Sequence, residues 1–296
     1  GTTVDLAALV GEGDRIEPVL MTSAEGLSIV RHSAAHVTAQ AVQQIYSDAK
    51  LGIGPPIVDG FYYGFQMDPI GPDELAGIEK KMQAIIKERQ RFVRREVSDQ
   101  EALGEEANEP FKLELVRDKG GASADDGSSV EVGGGQLTMY DNVRRTGEVA
   151  WTDLCRGPHV PHTGYINAVA LTKTSAAYWR GDQRNPQLQR IYGTAWATRD
   201  DLKDYQHRLA EAAKRDHRKL GAELDLFSFH EEVGSGLPLF HPKGGVIKRE
   251  MEDYVRARHI AEGFDYVGTP HIAREELYYT SGHLPYYAEG MFPPLD

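Results

Sequence analysis

The chain has 296 residues, with 33 Lys and Arg against 45 Asp and Glu, a formal net charge of −12. That balance excludes a protein that holds nucleic acid through overall charge, although local basic patches are still possible. No apolar run reaches membrane-spanning length, so no partner membrane is expected, and a single cysteine excludes an internal disulfide, which fits a reducing, cytoplasmic setting.

The length suggests two or more domains. The chain opens on Gly1, not Met, and is expected to start inside a longer protein. Residues 1–21 read as one helical turn and a strand over 15–21, too little for a domain of their own. Residues 25–46 read as a helix, because Leu27, Val30, Ala34, Val37, Ala41 and Ile45 keep helical spacing. Pro55 and Pro56 bar further helix, and 57–65 reads as a strand hairpin with Gly60 at its bend. A second long helix is expected over 73–95, with Leu75, Ile78, Met82, Ile85 and Ile86 as its stripe. Ser98 and Glu101 form a capping box that opens a shorter helix.

Residues 119–135 are rich in Gly, Ser and Asp and read as a surface loop. Strands are expected over 136–142, 169–179 and 188–196, the last two as neighbours. Thr198 and Asp201 form another capping box, starting a charged helix to about Leu220 that separates two differently patterned regions. Beyond it, Val246, Ile247, Met251, Tyr254, Val255 and Ile260 predict a helix after Gly244 and Gly245, followed by a strand over 264–269 that ends at Pro270. Too little chain follows to complete a catalytic domain, so a cut is expected at the C-terminus as well.

The chemistry concentrates in two stretches, H-S-A-A-H at 32–36 and D-L-C-R-G-P-H at 153–159. Residues four apart on a helix share a face, so His32 and His36 can point into one pocket. Asp153, Cys155 and His159 are expected in a loop bent by Gly157 and Pro158. Three imidazoles and a thiol, paired as H-x-x-x-H and C-x-x-x-H, are the ligand types zinc takes. The same groups, with Lys112 as a cation or base and Asp153 to hold a tautomer or an amine, equally suit metal-free hydrolysis. A cysteine nucleophile fits poorly, since this loop has no helix N-terminus to lower the thiol pKa. Taken singly, Cys155 suits a small core residue and His36 a satisfied core histidine; the five together do not. Spacing alone does not choose between metal and hydrolytic pocket. Two basic groups stand out, Arg180, Arg184 and Arg190, and Lys214 to Lys219 with Arg215 and Arg218; charge alone favours a solvated helix face for the latter.

With these residues placed, the chain resembles the threonyl-tRNA synthetases of bacterial type. The similarity rests on I-V-R-H-S-A-A-H at 29–36, I-G-P-P-I-V-D-G-F-Y-Y at 53–63, D-L-C-R-G-P-H-V-P at 153–161, A-Y-W-R-G-D at 177–182, Q-R-I-Y-G-T-A-W at 189–196 and E-A-A-K-R-D-H-R-K at 211–219. The resemblance implies an α+β, multidomain chain. Residues 1–21 would end a β-grasp domain, 22–197 would form a two-layer editing domain and 198–222 a linker helix. Residues 223–296 would begin an antiparallel class II catalytic domain with motif 1, through which such enzymes form homodimers.

The motifs that bind ATP, and the ligands of the family's synthetic-site zinc, are not in this stretch. The resemblance therefore implies ATP, Mg and one Zn for the parent enzyme only, and neither cofactor nor metal for editing. Its implied activity is hydrolysis of seryl-tRNA(Thr), the parent's substrates being threonine, ATP and tRNA(Thr). Carried over residue by residue, Lys112 and His32 position or activate the water and the ribose hydroxyl, and Asp153 takes the serine ammonium. Cys155 and His36 form the wall that refuses a methyl, His159 orients its neighbours, and Tyr63 and Gly54 hold the adenosine. Arg180, Arg184, Lys214, Arg215 and Arg218 would guide the tRNA. A free-standing, zinc-dependent editing hydrolase of the alanyl-tRNA synthetase type uses the same His and Cys frame and is the alternative; a non-catalytic tRNA-binding or dimerisation module is the third reading.

Overall fold

The computed structural model describes residues 3–6, 8–118 and 136–293. The segment 119–135, expected as a surface loop, lies outside them. The chain divides into two compact units, 1–209 and 210–296. No helix among the described residues is long and apolar enough to cross a membrane.

The first unit is organised by helix α1 (Ala24–Ile45). Ser23 caps it, its hydroxyl accepting from the Gly26 N–H at 3.1 Å. Val30 to Val42 are buried without interruption, so α1 is buried all round instead of showing one stripe. It packs on an antiparallel sheet in the order β1 (Lys50–Leu51), β3 (Gly60–Gln66), β8 (Gln187–Trp196), β7 (Ala168–Tyr178), with β2 (Pro56–Ile57) paired beside β3. Helix α2 (Pro72–Glu88) joins α1 on that face, and Phe61, Tyr63, Phe65, Ile78, Met82 and Ile191 fill the core between them. A second antiparallel sheet runs β4 (Arg91–Val97), β5 (Leu137–Val143), β6 (Val149–Leu154). Helices α3 (Asp99–Glu105) and α4 (Pro110–Asp118) lie between β4 and β5 in the chain, and the expected capping box at Ser98 and Glu101 starts α3. The unit is α+β, and the pairing of β7 with β8 is as expected.

Several expectations are corrected. The second helix stops at Glu88, where Arg89 turns left-handed, and 91–97 is strand. Its Arg and Glu residues are good helix formers, but the whole stretch is in register with β5, from Arg91 opposite Val143 to Val97 opposite Leu137. The hairpin turns at Val58 and Asp59, with Ile57 opposite Gly60. Residues 15–21 pair with no strand among the described residues; exposed on most of their length, they have no neighbouring ladder to join. The single helix expected from Thr198 to about Leu220 is two pieces, α5 (Arg199–Lys214) and α6 (His217–Glu223). Asp216 interrupts them by capping α6, its carboxylate accepting from the Arg218 N–H at 2.8 Å.

In the second unit, β9 (Phe227–Ser228) and β10 (Leu239–Phe240) form a short antiparallel ladder ahead of α7 (Pro242–Ala261) and α8 (Glu275–Thr280). Helix α7 starts at Pro242, before the glycines, because proline suits a first helical position. Its apolar residues Met251 and Tyr254 are exposed. Residues 264–269, expected as strand, form no ladder, and Phe264, Tyr266 and Val267 are exposed; an isolated extended segment has nothing to satisfy its backbone but water.

Candidate active site

Four elements converge. Helix α1 presents His32 and His36 on one face, α4 supplies Lys112, and β3 supplies Tyr63. Asp153 is not in a loop: it sits near the end of β6, opposite Tyr140 of β5, and the loop after the strand carries Cys155 and His159. All six expected catalytic residues come together, and every one of them is buried.

The charged half of the site is one ion pair. Lys112 Nζ lies 2.9 Å from Asp153 Oδ1 and donates to the Leu154 carbonyl at 3.2 Å. The Tyr63 hydroxyl donates to Asp153 Oδ2 at 2.7 Å, and the ammonium sits 5.6 Å from the centre of the Tyr63 ring. Burial pushes the Asp153 carboxyl up, while Lys112 and Tyr63 pull it back.

The other half is uncharged. His32, His36 and His159 have ring centres 4.2–5.2 Å apart. Burial depresses all three: His32 to about 4, helped by the Lys112 charge, and His36 and His159 well below their ordinary value. Cys155 Sγ lies 3.3 Å from His32 Nε2 and 3.4 Å from His159 Nε2. Ser33 fixes the His159 tautomer. Its hydroxyl donates to the Ile29 carbonyl at 2.8 Å and accepts from the Val160 N–H at 3.1 Å, so at 3.0 Å it accepts from His159 Nδ1–H and leaves Nε2 bare. Neither nitrogen of His36 has a hydrogen-bond partner among the described residues, and Nε2 is 3.7 Å from Asp153 Oδ2.

The ligand atoms of His32, His36, Cys155 and His159 lie within 4.8 Å of one another. A tetrahedral zinc with bonds of about 2.3 Å to sulfur and 2.0 Å to nitrogen separates those atoms by about 3.6 Å, close to the two sulfur–nitrogen distances here. An unprotonated Nε2 on His159 facing Cys155 Sγ, and His36 nitrogens without a hydrogen-bond partner among the described residues, fit such an ion, and these residues could hold one.

Two glycines are needed for close approach. A Cβ on Gly54 would run into the Tyr63 ring, so the backbone at Gly54 passes close to that ring and the two expected adenosine-binding residues are neighbours. Gly157 has φ +71° and its Cβ would meet the Tyr140 hydroxyl. Residues the sequence did not single out complete the shell. Phe92 stacks on His159 at 4.8 Å, and Tyr140 meets it edge-on at 4.5 Å. Trp151 stands edge-on to His36 at 5.7 Å and is held by Gln43 at 2.7 Å. Asp5 accepts from the His159 N–H at 3.0 Å and from the Tyr140 hydroxyl. Only Ser33 carried a signal, its place inside the histidine pair; the others come from strands and segments distant in sequence.

The expected tRNA-binding residues are largely engaged with carboxylates. Arg180 pairs with Glu114 at 3.1 Å and Asp118 at 2.7 Å on α4, and Arg184 with Asp182 at 2.6 Å. In the second unit Lys214 pairs with Glu211 and Arg218 with Asp216, and Arg215 is exposed between α5 and α6.

Residues 130–192 match the family described as the threonyl and alanyl tRNA synthetase second additional domain. Over its whole length the chain is 62% identical to a threonine–tRNA ligase of Nocardioides sp. (strain ATCC BAA-499 / JS614), covering 46% of that protein. It is 60% identical to one of Thermobifida fusca, covering 45% of it, and 56% identical to one of Bifidobacterium longum, covering 44%. The chain thus spans less than half the length of these curated relatives, and the resemblance to threonyl-tRNA synthetases runs along all of it.

Proposed function

We propose that this chain, similar throughout to threonine–tRNA ligases, is the editing part of such a ligase and hydrolyses serine mistakenly esterified to tRNA(Thr). The observation that carries the reading is the wholly buried Lys112–Asp153 pair beside three uncharged imidazoles. The need for such a site is physical. Serine lacks one methyl of threonine, and a pocket distinguishes one methyl or methylene by only about 10–200-fold, so a second sieve that admits the smaller residue closes the gap.

In that reading water attacks the ester carbonyl, the bond to the ribose oxygen breaks, and that oxygen gains a proton. A base with a pKa of about 4 is a poor proton acceptor at neutral pH, so His32 orients the water and does not carry its proton away. Lys112, a cation in a water-poor pocket, stabilises the developing oxyanion, and the proton that the attacking water gives up passes to the leaving ribose oxygen. Asp153 takes the serine ammonium beside Lys112, and Tyr63, against the Gly54 backbone, holds the terminal adenosine. Cys155 and His36 close the side-chain wall against the threonine methyl. The whole ligase would use threonine, ATP with Mg, a zinc outside this chain and tRNA(Thr), in the cytoplasm, and pair as a homodimer through the class II segment that begins near 223.

The donor geometry around Cys155 favours a second reading, a zinc hydrolase of the alanyl type. There His32, His36, Cys155 and His159 would hold an ion that supplies an activated water. A deacylation assay on seryl-tRNA(Thr) with Lys112→Ala tests the first: the variant should lose at least a hundredfold in rate. Unchanged rates would return the chain to a binding module.

A further inference from the structure

Neither ring nitrogen of His36 has a hydrogen-bond partner among the described residues, so packing orients this ring. Three rings press on it edge-first: His32 at 5.2 Å, His159 at 4.2 Å and Trp151 at 5.7 Å and 88°. The two histidines belong to the pocket and meet Cys155 within it. Trp151 is anchored from outside, by a chain of bonds that the hydrolytic chemistry does not use.

Trp151 stands two places before Asp153 on β6, and so on the same face of that strand. Its indole N–H can only donate, and it donates to Gln43 Oε1 at 2.7 Å. That bond fixes which way the amide points. The Nε2 end then donates to Glu109 Oε1 at 2.9 Å and to the Ala49 carbonyl at 3.2 Å, both of them acceptors. Gln43 lies two helical turns after His36 on α1, so one face of one helix carries both the ring and the anchor of the ring's neighbour. Glu109 closes the chain. Its Oε2 accepts from the Leu51 N–H of β1 at 2.6 Å. Its backbone carbonyl accepts from the Leu113 N–H at 2.9 Å, in the first turn of the helix that carries Lys112. Both ends of the Gln43 amide and both oxygens of Glu109 are therefore bonded, which gives the relay a single arrangement. An indole that swung away would strand the Gln43 oxygen in a half-buried site, and a network satisfied throughout is what holds a neighbouring side chain to a fraction of an ångström.

We propose that Trp151, Gln43 and Glu109 are positioning residues for specificity: a relay that keeps the His36 ring in place as the wall against the threonine methyl. The feature to be sieved is one methyl, so a small retreat of a ring that no hydrogen bond restrains is enough to admit it. The proposal rests on the editing reading for the substrate, and on the bonds from Trp151 to Glu109 for the anchoring of His36.

The test measures hydrolysis of seryl-tRNA(Thr) and threonyl-tRNA(Thr) by the whole chain, beside the NMR signals of the His36 ring, assigned with His36→Asn. Gln43→Leu removes both bonds of the amide and should raise the threonyl-to-seryl rate ratio about tenfold, the lower end of what one methyl is worth. Trp151→Phe should raise it as much, and the double variant no more than either, because each breaks the same relay. The His36 ring signals should shift in both single variants. Weakened folding alone would lower the two rates together and leave their ratio where it was. Gln43 is only partly buried, so its variant keeps the measurement meaningful if Trp151→Phe unfolds. A ratio equal to wild type in Gln43→Leu, or effects that multiply in the double variant, overturns the relay. If the wild-type chain hydrolyses neither ester, the editing reading falls and the ring signals alone judge the anchoring: unmoved His36 signals in Gln43→Leu overturn it, and shifted signals leave it standing.

Discussion

Lys112 and Asp153 meet at 2.9 Å with both side chains wholly shielded from solvent. Each is the other's main compensation for leaving water. Removing one partner strands a buried charge, which costs about 3–5 kcal/mol, whereas removing both in favour of apolar side chains is often close to neutral. Lys112→Met should therefore destabilise the chain by about that amount in urea unfolding, and Lys112→Met with Asp153→Leu should recover most of it. Deacylation should be lost in both. A double variant as unstable as the single one would contradict the pairing.

The three histidines make stability depend on pH in a definite direction. Their native pKa values lie below the ordinary 6.5, that of His32 at about 4. Between those values the unfolded chain binds protons that the folded one refuses, so stability is full above about 6.5 and falls as the pH drops towards 4. Each group contributes a slope of up to about 1.4 kcal/mol per pH unit in that window. Replacing His159 with Gln should flatten the acid limb measured by denaturant titration at pH 7, 6, 5 and 4. An unchanged slope would mean that His159 is already protonated in the fold.

Gly54 is predicted to tolerate no side chain. Alanine would drive its Cβ into the Tyr63 ring, 2.3 Å away, and the ring must move with the hydroxyl that bonds Asp153. The expected cost is about 1–3 kcal/mol in stability, as for other overpacked sites, with a larger fall in deacylation than the melting temperature alone explains. Full activity in Gly54→Ala would remove Tyr63 from the substrate site.

Metal content decides between the two hydrolytic readings. The metal-free reading predicts no stoichiometric zinc in the purified chain by elemental analysis, and deacylation that survives prolonged chelation. One zinc per chain, with activity lost to chelator and restored by zinc, would favour the ion held by His32, His36, Cys155 and His159.

Much of this site was legible in the sequence because its residues come in short words. The H-x-x-x-H spacing on a helix and the C-x-x-x-H loop specify their own local geometry, and both landed in one pocket. Less was legible where the environment decides. The strand 91–97 is written in helix-forming residues and is fixed only by its register with β5. Phe92, Tyr140 and Trp151, which wall the imidazoles, reach them from a different sheet and carry no local mark. Asp153 was expected in a loop because the glycine and proline that follow it dominate the local pattern, yet the β6 ladder extends through it. The apolar stripe at 246–260 does lie on a helix, α7, but its residues are exposed.

The most direct measurement is the rate at which this chain deacylates seryl-tRNA(Thr) beside threonyl-tRNA(Thr), with the chain in catalytic amount. A serine-sized sieve formed by His36 and Cys155 predicts rapid loss of serine and a threonyl ester hydrolysed at least a hundredfold more slowly. Hydrolysis of both esters at the same rate, or of neither above the uncatalysed background, would contradict it.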